Sequence, residues 1–174
     1  MFGPDIPSWS SYRTISVCPK PASTSRAPPL VWADLPADTV SLALIVEDPD
    51  APALKPFVHA LVWNMPADTQ FLSDGAIAAD ESGDADGKDV RRNSYMVEGW
   101  LPPDPPKGHG THDYVFQLFA LAKTPVLGSN PGRSDFIEAI RGCILAGGLL
   151  VGTYSRDEPQ VVATEVIVGR ATPG

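Results

Sequence analysis

His59 is the single ionisable side chain inside an otherwise apolar run, Phe57-Val58-His59-Ala60-Leu61-Val62-Trp63. A buried imidazole needs a polar partner, because a polar group taken from water without a hydrogen bond destabilises the fold. The nearest carboxylates along the chain are Asp48 and Asp50, in the loop Asp48-Pro49-Asp50-Ala51-Pro52 just upstream. A carboxylate beside a buried imidazole favours the imidazolium, and an imidazolium can bind an anion. The chemistry expected here is a small anion held by His59, with Asp48 as first choice to orient the ring. The blander alternative is that Asp48 caps a turn and His59 is a satisfied core histidine. A second group of chemically able residues lies in Pro105-Pro106-Lys107-Gly108-His109-Gly110-Thr111-His112. Loops of this kind, feeding the start of a strand, commonly carry ligand sites.

The same residues admit two other chemistries. Asp48, Asp50, His59, His109 and His112 are suitable types for a divalent metal, but no metal is expected, and no cofactor. Asp48, His59 and His112 are also acid/base groups. There is no Gly-x-Ser-x-Gly elbow and no cysteine near the histidines, so an enzyme would be confined to acid/base cyclisation, isomerisation or dehydration.

The elements that must hold these groups read as strands. Leu42, Leu44 and Val46 alternate with Ala43, Ile45 and Glu47, and Phe57, His59, Leu61 and Trp63 alternate with Val58, Ala60 and Val62. Apolar residues on both faces predict central, covered strands. A third strand is predicted over 112–122, with His112, Tyr114, Phe116, Leu118 and Ala120 on one face. Shorter strands are expected at 14–17 and 94–101, 30–32 is a brief apolar segment, and 161–168 reads as an edge strand or an ordered tail. The one helix expected runs from Ser134 to Ala146, capped by Ser134 or Asp135 and stopped at Gly147-Gly148. Cys143 falls on its apolar face and is read as core. Residues 1–13 form a lead-in, 14–156 the domain and 157–174 a tail. The acidic stretch 73–93 reads as an exposed loop; its Asp-Glu-Ser-Gly-Asp-Ala-Asp-Gly-Lys-Asp run lacks the ligand spacing of a calcium loop.

The chain has 174 residues, 19 prolines and 15 glycines, with 43% hydrophobic and 20% charged residues. That composition suits one globular domain of short strands and turns. A net charge of -8 argues against a nucleic-acid partner, and any anion site must be local. Neither a secretory leader nor an apolar run long enough to span a membrane is evident, so cytoplasm is the default. Cys18 and Cys143 suggest neither a metal set nor a disulfide framework.

Three ordered motifs, Asp48-Pro49-Asp50-Ala51-Pro52, His59-Ala60-Leu61-Val62-Trp63-Asn64-Met65-Pro66 and Pro105 to Tyr114, resemble the phosphatidylethanolamine-binding protein family. The likeness is strongest to its bacterial and archaeal, Raf-kinase-inhibitor-like branch, with Pro28 to Trp32 and Gly152-Thr153-Tyr154 in support. It covers Ser16 to Arg156. The resemblance implies an all-β, Greek-key β-sandwich with one or two short helices. It implies a pocket for phosphate or a phosphoryl headgroup built from Asp48, Asp50, Ala51, Pro52, His59, Gly108, Gly110, His112 and Tyr114. It also implies modulation of a protein partner such as a kinase or protease, and leaves room for a homodimer. Three features depart from the pattern: Asp113 replaces the usual basic residue after His112, no cysteine precedes the double proline at 102–103, and the tail beyond Arg156 is longer than usual. Asp113 is expected to point away from the pocket.

Overall fold

The computed structural model describes residues 13–14, 16–19, 26–78, 89–91, 93–95, 97–128, 131–156 and 162–166. Most of the lead-in, the calcium-like run apart from its last residue, and most of the tail lie outside the described residues.

The chain forms β1 (Arg13–Thr14), β2 (Ser16–Pro19), β3 (Leu30–Ala33), β4 (Ser41–Asp48), β5 (Phe57–Pro66), β6 (Phe71–Leu72), β7 (Asp89–Arg91), β8 (His112–Leu121), α1 (Arg133–Ile140), β9 (Ile144–Tyr154) and β10 (Val162–Val166). The main sheet has the order β1-β9-β8-β4-β5-β7, with β10 also paired to β9; β2-β3-β6 make a second, small sheet. Pairings are antiparallel except for the short β1–β9 contact. β4 and β5 are neighbours in sequence, and β8 returns through a long connection to lie against the other edge of β4. This is the predicted all-β sandwich.

β4 is buried along its whole length because both of its faces are covered. Leu42, Leu44 and Val46 pack with Leu30, Trp32 and Leu72 of the small sheet. Ala43 and Ile45 pack with Phe136 and Ile140 of α1. Phe136 and Ile140 are 0% and 2% exposed, and each contributes about 1.5–3 kcal/mol of burial.

The helix is shorter than the sequence suggests. It ends at Ile140, Gly142 adopts φ +74°, and Ile144 begins an eleven-residue strand. Asp135 does serve the N-terminus, its Oδ2 accepting the Gly132 amide at 2.8 Å. The apolar residues after Cys143 fit either period, and ten partners on β8 decide for strand. Cys143 is buried in the α1-side core, as expected, but beyond the helix. The described residues of 94–101 do not form a strand. They make a loop whose amides bond across to β5, Ser94 N to Val58 O and Leu101 N to His59 O, both at 2.9 Å. Val162–Val166 is a strand on the outer edge of β9.

Candidate functional site

β5 breaks its expected alternation at His59. Val46 and Glu47 are consecutive on β4, yet their partners on β5 are Ala60 and Val58, so His59 is an extra residue with no Cα opposite it. A bulge of this kind re-aims a side chain. Val58 joins Leu61 and Trp63 in the core beneath α1. His59 instead meets Tyr114 of the inter-sheet core edge-on, with ring centroids 5.0 Å apart at 80°. The predicted sharing of one face by His59, Leu61 and Trp63 is therefore corrected.

The expected Asp48–His59 pair is corrected too. The strand register sets Phe57 opposite Asp48, which leaves His59 two residues too far along β5. The partner of Asp48 is His112, at the start of β8: Nδ1 of His112 donates to Asp48 Oδ2 at 2.8 Å, and both side chains are almost fully buried. The other oxygen, Oδ1, accepts the Asp50 amide at 2.8 Å. His59 Nδ1 lies 2.7 Å from the Leu101 carbonyl. A carbonyl only accepts, so Nδ1 carries the hydrogen. Burial pushes the His59 pKa below 6.5, outweighing the Leu101 hydrogen bond and the Asp48 charge, which act the other way. The ring is thus neutral near pH 7, and Nε2 presents a lone pair rather than a proton. That reverses the expected imidazolium.

His59 Nε2 and the Tyr114 hydroxyl are buried with no hydrogen-bond partner among the described residues. Burial, reinforced by the Asp48 charge, pushes the Tyr114 phenol well above its ordinary value, so it keeps its hydrogen. Asp48, Ala51, Pro52, His59, His112 and Tyr114 line one cavity of about 210 Å³. Ala53, Phe57, Tyr95, Leu101, Pro102, Asp104, Pro105 and Pro106 also line it, and among the described residues the wall holds no Lys or Arg. Asp104 is tied to Arg156 at 2.7 Å.

Asp50, Gly108 and Gly110 are not on that wall. Asp50 Oδ2 accepts the Asp113 amide at 2.8 Å, joining the end of β4 to the start of β8. Gly108 and Gly110 take φ +81° and +82°, a left-handed conformation that glycine adopts without steric penalty, in the turn leading to β8. His109 is exposed, its ring centroid 6.1 Å from that of His112. Asp113 is exposed between two buried neighbours and lies off the wall, pointing away as expected. Among the described residues no group of three or more His, Cys, Asp or Glu is arranged to hold a metal. Cys143 lies in the core beneath α1, away from the cavity, and burial raises its thiol pKa.

Sequence reasoning missed the Leu101 carbonyl and the loop that presents it. Asn93, 3% exposed, organises that loop: its Oδ1 accepts the Tyr95 amide at 3.0 Å and its Nδ2 donates to the Gly99 carbonyl at 3.3 Å. The Asn-Ser pair at 93–94 was the available signal, since asparagine favours such side-chain-to-backbone turns. Chemically, the cavity offers an imidazole oriented by a carboxylate, a second imidazole acting as acceptor, and a phenol acting as donor.

Comparison with known proteins places the chain in a family. A sequence model described as phosphatidylethanolamine-binding protein matches residues 6–155. The chain is 38% identical over 134 residues to a "UPF0098 protein" of Aquifex aeolicus, covering 75% of each. It is 29% identical over 140 residues to "Phomoidride biosynthesis cluster protein B" of a fungus, covering 75% of this chain and 66% of that one. Among solved structures it is similar to Escherichia coli YbcL, with TM-score 0.68, 30% identity, and coverage of 74% of this chain and 79% of that one. It is also similar to a phosphatidylethanolamine-binding protein homologue from Chlamydia trachomatis, with TM-score 0.64, 31% identity, and coverage of 75% and 82%. With most of its length matched, and with relatives above 30% identity, the chain belongs to the phosphatidylethanolamine-binding protein family.

Proposed function

We propose that this chain is a small-anion and phosphoryl-headgroup-binding protein that modulates a partner protein. One observation carries the reading. The buried Asp48–His112 pair shares a cavity with two buried polar atoms, His59 Nε2 and the Tyr114 hydroxyl, that no group among the described residues satisfies. Native interiors pair the large majority of such groups, so unsatisfied ones converging on a cavity suit a polar ligand. The cavity, about 210 Å³, falls below the roughly 300–1,000 Å³ of drug-sized sites. It suits an oxyanion or a headgroup rather than a whole lipid.

Asp48, Ala51, Pro52, His59, His112 and Tyr114 would touch the ligand, while Asp50, Gly108 and Gly110 hold the loops that carry them. A kinase or protease partner, pairing of two copies along a sheet edge, and a cytoplasmic location belong to the same reading. Among the described residues no helix is long and apolar enough to cross a membrane. Calorimetric titration with phosphate and phosphoethanolamine tests the site. Saturable binding is expected for the wild type and its loss for His112→Ala; binding unchanged by that substitution removes the site.

A second reading is an acid/base enzyme acting on a small acidic molecule. The oriented Asp48–His112 pair favours it, since a carboxylate-held imidazole can take up and return a proton. The fungal biosynthesis-cluster relative gives it a context. Turnover of a pathway intermediate, abolished in Asp48→Asn, supports this reading over the first.

A further inference from the structure

We propose that the cavity selects oxyacids that still carry a proton, namely hydrogen phosphate and singly protonated phosphate monoesters. It would refuse sulfate and phosphodiesters, with His59 as the specificity-determining residue. This rests on the reading of the cavity as an oxyanion site.

The Leu101 carbonyl fixes the tautomer of His59. It occupies His59 Nδ1 at 2.7 Å and can only accept, so the ring hydrogen is committed there. Nε2 is then a buried acceptor on a cavity-lining residue that is 3% exposed. A ligand oxygen placed against it must bring its own hydrogen, or two lone pairs face one another with no solvent to separate them. The Tyr114 hydroxyl is a donor within the same cavity and suits an unprotonated ligand oxygen. Together they ask for one P–OH and at least one P–O. Among the described residues nothing on the wall offers a full, unpaired positive charge, because none is Lys or Arg and His112 is held by Asp48. A dianion without a proton thus sets a lone pair against Nε2, with no lysine or arginine of the described wall to compensate.

Groups from several elements face His59. Asp48 on β4 favours the charged ring and His112 on β8 opposes it. Tyr114 on β8, Phe57 on β5 and Trp100 from the 97–101 loop surround the ring with aromatic surface. Asp104, across the cavity, is engaged with Arg156. The surroundings keep the ring neutral, in accord with the tautomer set by Leu101.

The test is calorimetry at pH 7.5 with four probes: inorganic phosphate, sulfate, methyl phosphate and dimethyl phosphate. Inorganic phosphate should bind, with sulfate and dimethyl phosphate at least about tenfold weaker, since sites built around a ligand hydroxyl reject analogues lacking it. Methyl phosphate loses its second proton near pH 6, so its affinity should fall about tenfold per pH unit above that point. In His59→Gln the carboxamide can turn its NH2 toward the ligand, and sulfate should gain at least about tenfold relative to phosphate. The wild-type comparison of four probes needs no variant, so misfolding of His59→Gln leaves the test intact. Equal binding of phosphate and sulfate overturns the selectivity while leaving the oxyanion site standing. Failure of all four probes to bind overturns both.

Discussion

Two histidines in one cavity have opposite surroundings, and that difference sets what each can do. His112 is held by a buried carboxylate, His59 by a backbone carbonyl. His112→Ala leaves Asp48 4% exposed with only the Asp50 amide as partner. We expect it to cost about 1.5–3 kcal/mol, the range for a hydrogen bond to a charged group, measured by urea unfolding. For His59 the sign of the pH effect is fixed by its lowered pKa. The unfolded chain takes up a proton near pH 6.5 while the folded ring still refuses it. Stability contributed by the neutral ring is therefore present above pH 6.5 and is lost as pH falls below it toward the folded pKa. Urea midpoints of the wild type should drop across that window more than those of His59→Gln. Parallel pH profiles of the two proteins would show that the ring ionises equally well in both states.

At the scale of elements, the site exists because a bulge in β5 and a loop at 93–101 converge on the end of β8. Asn93→Ala removes the acceptor for the Tyr95 and Val97 amides and the donor to Gly99. It should cost about 1–3 kcal/mol, and it should weaken phosphate binding by loosening Leu101 against His59. Unaltered phosphate affinity in a folded Asn93→Ala protein would separate the loop from the site. On the far side of the sheet, Phe136→Ala should cost about 3–5 kcal/mol, because this fully buried ring anchors α1, and thermal unfolding reads it. Phosphate affinity should be little changed, since α1 packs on the face opposite His59. The strands β4, β5 and β8 were legible because apolar residues at period two leave few alternatives. The helix end was not, since Ile144 to Leu150 satisfies both periods and only its pairing with β8 decides. The bulge was invisible for a related reason. Alternation gives a face to each residue, but an extra residue in one strand is defined by its partner strand. The six wall residues named from the motifs were therefore found, while the partner of Asp48 was assigned by nearness along the chain rather than by register.

Across the whole molecule, the proposed anion site must work inside a chain of net charge -8. The surrounding field repels a phosphate before it arrives, and none of the described residues on the cavity wall answers with a lysine or arginine. Attraction must then come from short-range hydrogen bonds, which salt does not screen, whereas the repulsion is long-range and does weaken with salt. At about 0.1 M ionic strength the Debye length is about 10 Å, so most of the distant carboxylates cease to matter. The salt dependence should therefore run opposite to that of a basic, phosphate-gripping protein. Potassium chloride is a fair probe, because chloride brings no proton for His59 Nε2 and is a poor competitor for a site of this chemistry. Measured by calorimetry at fixed pH, phosphate affinity should hold or rise as salt increases from about 0.01 M to the physiological 0.15 M, where the Debye length shrinks from about 30 to about 8 Å. A tenfold loss over that range would mean that cations, and not the Asp48–His112 pair with its neutral neighbours, hold the anion.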